Sequence, residues 1–263
     1  LLRCDRIRDF ITQHRDDGTQ LWVFHHLAKT AGTSFVAAAG SQLLPAGNVH
    51  VPREIIASGP FNLEAELDNA FRKFWQEKTD TAFRFVSGHL RRRHIERIRT
   101  LKHARVVTIL RDPFDRVLSQ YHYSQTPVNP AYLSFRSKFP TFESYFELPA
   151  HRNRMAMLLA GPGASAEQCK EILLHDYLVC GTVEMYPQFC ALMGELLGIK
   201  VAVRRENAST HDVANYVAEA DVHRNRFLAL NTIDVDIYRF VQEAWAKKRQ
   251  EVEDRCGFAP LRG

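Results

Sequence analysis

The chain has 263 residues, 45% hydrophobic and 25% charged, which is the make-up of a globular protein long enough to bury one substantial α/β core. Lys and Arg number 35 against 30 Asp and Glu, and the formal net charge of +5 suits an anionic ligand but is too small to mark a nucleic-acid binder. No uninterrupted apolar stretch of about 18 residues is present to span a membrane, and the composition excludes fibrous and disordered classes.

In chain order, a first strand is predicted over 21–27, rich in Leu, Val and Phe without strict alternation, as in a strand covered on both faces. A helix over 63–78 carries Leu63, Leu67, Ala70 and Phe74 on one stripe. Two more strands of the same type are predicted over 83–87 and 105–110. The stretch 124–149 holds four prolines and several aromatics, and reads as an irregular excursion near the functional edge. Ser165-Ala-Glu-Gln168 is a capping-box pattern opening the apolar run 169–174, and a fourth strand follows over 177–182. Ile237, Val241, Ala244 and Trp245 give a last helix its buried face, with Asp234 and Asp236 near its N-terminus, where acids suit the helix dipole. Strands alternating with helices predict a three-layer α/β fold with a central parallel sheet.

The five cysteines are odd in number and hold no C-x-x-C pair, which excludes a disulfide framework and a zinc ribbon. Cys4 and Cys256, near the two ends, are the pair left free to meet. The 12 histidines include no H-E-x-x-H spacing. His25 and His26 are expected on opposite sides of a strand, so no metal site is predicted.

Two segments carry chemistry. His26-Leu-Ala-Lys-Thr-Ala-Gly-Thr-Ser34 follows the first predicted strand and runs into Phe35-Val-Ala-Ala-Ala. A strand passing through a small-residue loop into a helix turns several backbone N–H groups toward one point, with the helix dipole behind them. Lys29 adds a mobile charge, Gly32 close backbone approach, and Thr30, Thr33 and Ser34 hydroxyl donors. The loop is not of the Walker type, because its lysine precedes the glycine. In the second segment, 106–123, a strand ends at Arg111, Asp112 is placed to cap a helix and Pro113 suits its first position. Arg116, Ser119 and Tyr123 then recur on one helical face, so Arg111 and Ser119 can converge on one phosphate. The alternative is a surface pair of Arg111 with Asp112 or Asp115.

Together the two segments resemble the signatures of sulfotransferases that use 3′-phosphoadenosine 5′-phosphosulfate (PAPS). H-L-A-K-T-A-G-T-S resembles their 5′-phosphosulfate loop, and R-D-P-F-D-R-V-L-S-Q-Y their 3′-phosphate motif. The carbohydrate-modifying branch, exemplified by heparan sulfate uronyl 2-O-sulfotransferases and bacterial relatives, is the most similar. Ala28 stands where that branch usually has Pro. Weaker echoes are Ser87-Gly-His89, the 153–161 segment, Gly181-Thr-Val-Glu184, Arg205-Glu-Asn-Ala-Ser209 and the 231–238 helix entry.

The resemblance implies a P-loop-like three-layer fold in one domain over 1–263. It implies metal-free, in-line transfer of a sulfuryl group from PAPS to an acceptor hydroxyl, with Lys29 and His89 catalytic. Lys29, Thr30, Ala31, Gly32, Thr33 and Ser34 would hold the 5′ end, and Arg111 and Ser119 the 3′-phosphate. Gly181, Thr182, Arg205 and Ser209 would approach the adenosine. Arg91 and Arg92, with Arg152 and Arg154, are placed around the acceptor, a glycan or other hydroxyl compound for which an anionic saccharide suits the arginines; a solvated helix face is their other reading.

Two other functions stand beside this one: a non-catalytic nucleotide or polyanion binder, and a P-loop kinase, which would need a lysine after the loop glycine. Gly161-Pro-Gly-Ala-Ser-Ala166 matches a dinucleotide fingerprint, but the residues before it are helix formers rather than a strand. Asn207-Ala-Ser209 matches a glycosylation sequon and is read as chance. The expected location is the bacterial cytoplasm, or the Golgi lumen if an anchor has been removed.

Overall fold

The computed structural model describes residues 1–57, 62–77, 82–201 and 213–256. The chain begins with α1 (Ile7–His14), β1 (Leu21–His25), α2 (Gly32–Gly40), β2 (Ala46–Val49), α3 (Arg53–Ala57), α4 (Leu63–Glu77), β3 (Phe85–Gly88), α5 (Arg92–Arg99) and β4 (Ala104–Leu110). It continues through α6 (Pro113–Ser124), α7 (Tyr132–Lys138), α8 (Phe142–Phe146), α9 (Arg154–Ala160), α10 (Ala166–Asp176), β5 (Val179–Thr182), α11 (Tyr186–Leu197), α12 (Val213–Leu230) and α13 (Thr232–Cys256).

The five strands form one all-parallel sheet in the order β2-β3-β1-β4-β5, flanked by helices. From β1 the chain passes to β2 and β3 on one side, then crosses to β4 and β5 on the other. Such a reversal leaves a crevice outside the carboxyl ends of β1 and its two neighbours, where open α/β sheets place ligands. The central strands are mostly apolar and fully buried, with Val23, Phe24, Val86, Ile109 and Leu110 at zero exposure and the polar His25, Ser87 and Thr108 buried toward their carboxyl ends. Burial on both faces removes the alternation a half-exposed strand shows.

Four of the five strands fall where the sequence predicts them. The fifth, β2, has the residues Ala-Gly-Asn-Val and a largely exposed pattern, so neither composition nor periodicity marks it. Its place comes from pairing with β3, Val49 lying opposite Gly88. The stripe of α4 is Leu67, Phe71 and Phe74, while Leu63 is exposed. Lys78, the last residue of the predicted helix, lies outside the described residues. Ser165 and Gln168 form the expected capping box, each side chain accepting from the other's backbone N–H. The segment before Gly161 is helix α9, as its composition requires.

The excursion over 124–149 is more ordered than expected. Its aromatics build a second core, in which Phe139, Phe142, Tyr145 and Phe146 pack with Phe114, Val117, Tyr121 and Phe227. The prolines fall in the breaks around α7 and α8, where a missing N–H removes no helix bond. Cys4 and Cys256 do not pair, and all five cysteines are free thiols.

Asp234 departs from its expected role as a dipole partner of its own helix. Its carboxylate is buried and accepts from the N–H groups of Met155 (3.0 Å) and Ala156 (2.8 Å), capping α9. Asn153 Oδ1 returns the favour to α13, accepting from Ile233 and Asp234 at 3.1 and 3.2 Å. Asn153 holds φ 44°, a left-handed conformation that Asn tolerates.

Candidate functional site

The switch point gathers the ends of three strands. The loop after β1 carries Lys29, the residue after β3 is His89, and the residue after β4 is Arg111. Both chemistry-bearing segments therefore meet at one edge, although 82 positions separate Lys29 from Arg111.

The β1–α2 loop is held in an uncommon shape. Lys29 and Ala31 both adopt positive φ, 68° and 57°, a region side-chain-bearing residues enter at a cost. Thr30 is buried between them and donates its hydroxyl proton to the Leu27 carbonyl at 2.8 Å. That bond helps to hold the loop in shape. Gly32 also has a packing reason: a Cβ there would lie 2.5 Å from the His26 ring and 2.7 Å from the Phe24 ring. Ala31 caps α2 without a side-chain bond, so the first N–H groups of that helix face outward from Gly32, Thr33 and Ser34.

Lys29 lies with Nζ 3.3 Å from the Tyr123 ring centroid, on α6. Burial, then the nearby Arg111, lowers its pKa from 10.5 to about 8. Arg111 does not pair with Asp112 or Asp115, which instead face Arg224 at 3.3 and 3.5 Å. Asp112 caps α6 as expected, accepting from Phe114 and Asp115 N–H at 3.0 Å each. Among the described residues neither Lys29 nor Arg111 makes an ion pair, so the edge presents two cations without a carboxylate of their own. Ser119 is half-buried on α6, one turn before Tyr123.

His89 has a defined tautomer. Its Nδ1 lies 2.7 Å from the His26 carbonyl, which can only accept, so Nδ1 carries the proton and Nε2 the lone pair. Burial lowers its pKa, as do Arg91 and Lys29, against the raising effect of the carbonyl bond. The ring lies between those of His26 and His50, with centroids 4.7 and 4.5 Å away. The sequence reading missed this trio. Gly88 of β3 lies opposite both His25 of β1 and Val49 of β2, so the next residues, His26, His89 and His50, stand side by side. The available signal is that three strands are each followed directly by a histidine, but it is readable only with the register known. His25 itself turns away, donating Nε2–H to the Leu90 carbonyl at 3.1 Å and accepting from the Tyr177 hydroxyl at 2.7 Å.

The arginines divide. Arg91 is buried and bonds Glu64 at 2.7 Å, while Arg92 is held by Glu96 and Asp176. Arg152 is exposed and donates to the Glu147 carbonyl at 3.3 Å. Arg154 is half-buried, its pKa lowered by burial and then by Arg91 and Arg116, so these three guanidinium groups share one region. Arg116 is buried with Nε lacking a hydrogen-bond partner. Arg91 and Arg92 are thus both ion-paired, and Arg154 is the one that feels the charges of Arg91 and Arg116.

Two residues expected near the adenosine end have structural roles of their own. A Cβ on Gly181 would lie 2.5 Å from Phe189 of α11, so this glycine makes room for the core. Thr182 ends β5 fully buried, with Oγ1 lacking a partner. Arg205 and Ser209, with the Asn207 sequon, lie outside the described residues. Among the described residues no helix is long and apolar enough to cross a membrane.

No protein-family model matches the chain, and no curated protein matches it significantly.

Proposed function

We propose that the protein is a PAPS-dependent sulfotransferase with a P-loop-like three-layer fold, acting on a hydroxyl of a carbohydrate or other glycoconjugate. The observation that carries the reading is the meeting of Lys29, His89 and Arg111 at the carboxyl ends of β1, β3 and β4, joined by the Arg111 bond to the Lys29 carbonyl. The residues fit an anionic co-substrate: two cations lack carboxylate partners among the described residues, and α2 opens with uncapped N–H groups.

PAPS supplies the activated sulfuryl group. The N–H groups of Gly32, Thr33 and Ser34 and the Lys29 ammonium stabilise charge that develops as the sulfur–oxygen bond breaks. Arg111, with Ser119, holds the 3′-phosphate through charge-assisted bonds. His89 Nε2 accepts the acceptor's proton as its oxygen bonds to sulfur, and the resulting imidazolium keeps its Nδ1–H bond to the His26 carbonyl. Arg154 and Arg116 give the acceptor side a positive field that favours an anionic saccharide.

A screen with sulfur-labelled PAPS against glycans, lipids and phenols tests the reading. Label transferred to a glycan by the wild type and lost in Lys29→Ala supports it. Tight bisphosphate binding with no transfer to any acceptor would favour a non-catalytic binder.

A further inference from the structure

We propose that His26, His50 and His89 form a three-imidazole site for one d-block divalent cation of the zinc class, and that filling it switches transfer off. The three rings each bring a nitrogen to within 4.8 Å of the others. Around a tetrahedral zinc with Zn–N near 2.0–2.1 Å, ligand nitrogens stand roughly 3.3 Å apart, so the rings need draw in by only about an ångström.

Independent features point to a ligand there. His50 Nδ1 is buried without a hydrogen-bond partner, a state buried polar atoms rarely keep. His89 Nδ1–H is held by the His26 carbonyl at 2.7 Å, which aims the Nε2 lone pair outward; ligating histidines are oriented by such carbonyl bonds. Each ring follows the last residue of a strand, and the strands are neighbours, so their spacing is fixed by the sheet rather than by a loop.

The ligand set selects the ion. Three neutral imidazoles suit Zn²⁺, Co²⁺, Ni²⁺ or Cu²⁺, whereas Mg²⁺ and Ca²⁺ require oxygen donors. Three protein ligands leave a fourth position open, as in a site that exchanges water. Lys29 and Arg91 bear on His89 and oppose a cation, so binding is weaker than at a thiolate site and reversible by chelators. The regulatory half of the proposal rests on the sulfotransferase reading, since a metal on His89 Nε2 takes the lone pair that accepts the acceptor's proton. The binding half stands without it.

The test titrates the purified, EDTA-treated chain with Zn²⁺ by calorimetry and with Co²⁺ by visible absorption. The proposal expects one equivalent taken up above background, d–d bands of a four-coordinate Co²⁺ ion, and a higher melting temperature with zinc. His50→Gln should weaken uptake at least about tenfold without changing the metal-free melt, because losing a ligand exceeds the 10–100-fold effect of losing a second-layer contact. His103→Gln, a histidine away from the trio, should bind as the wild type. Absence of a stoichiometric site, or His50→Gln binding like the wild type, overturns the site. Zinc should stop label transfer by the wild type, with EDTA restoring it, and leave His50→Gln active. Full activity with zinc bound overturns the switch. A chain that binds zinc through His50 but transfers no label overturns the function proposed above and leaves the site standing.

Discussion

Arg111 donates a 3.3 Å hydrogen bond from Nη1 to the main-chain carbonyl of Lys29. That carbonyl belongs to a residue in the left-handed conformation, so the bond ties down a strained turn and joins the β1–α2 loop to the end of β4. It also sets an electrostatic condition: burial first, then the Arg111 charge, lowers the Lys29 pKa to about 8. The ammonium is fully charged below about pH 7 and loses its charge as pH rises through 8. The free-enzyme profile, kcat/KM against pH, should therefore fall above about pH 8, well short of the ordinary lysine value of 10.5. Bound bisphosphate, an anion beside Lys29, should raise that pKa, and calorimetry near pH 8.5 in buffers of different ionisation heat should detect proton uptake. In stability the sign is opposite: the penalty for burying the charge is complete below about pH 8 and is relieved as pH climbs toward 10.5.

Lys29→Ala should lower kcat more than it weakens nucleotide binding, because the charge it answers grows in the transition state. Removing one such electrostatic donor typically costs about 10²–10³ in kcat. Steady-state kinetics beside calorimetric affinity separates the effects. Retained turnover with weakened affinity would reduce Lys29 to a binding residue.

His89→Ala should keep bisphosphate affinity and the melting temperature while losing roughly 10²-fold or more of the transfer rate, the usual size for a general base. The His26 and His50 rings pack against it, with centroids 4.7 and 4.5 Å away, and His26 is the rival for the role. Near-normal turnover with the true acceptor would move the role to His26.

Asp234→Ala should destabilise the fold by about 2–4 kcal/mol without touching nucleotide affinity. It removes two bonds to the N-terminus of α9, and one lost cap costs about 0.5–2 kcal/mol. It also withdraws the negative charge that offsets buried Arg116. Denaturant unfolding with an unchanged m-value is the measurement; a loss below about 0.5 kcal/mol would mean that water replaces the cap.

Sequence and structure agree where local chemistry decides. Buried strands announce themselves through runs such as Val106-Val-Thr-Ile-Leu110, and the caps of Asp112 and Ser165 lie within three residues of the groups they bind. The strand-to-helix loop between β1 and α2 was legible for the same reason. What escaped the sequence depends on distant parts of the chain. The β2 strand exists because β3 pairs with it, and the histidine trio because three strands share one register. Asp234 caps a helix 78 positions away, and Gly32 answers the crowding of His26 and Phe24, which no local pattern encodes.

Sulfuryl transfer from PAPS is tested most directly by the affinity for adenosine 3′,5′-bisphosphate against that for AMP, measured by calorimetry in the wild type and in Arg111→Ala. A charge-assisted contact to the extra phosphate contributes roughly 1.5–3 kcal/mol, so the wild type should prefer the bisphosphate by about tenfold or more. Arg111→Ala should lose that preference, its loss of affinity for the bisphosphate exceeding its loss for AMP by about tenfold or more. Equal wild-type affinity for the two nucleotides, or a preference that survives in Arg111→Ala, would contradict the account.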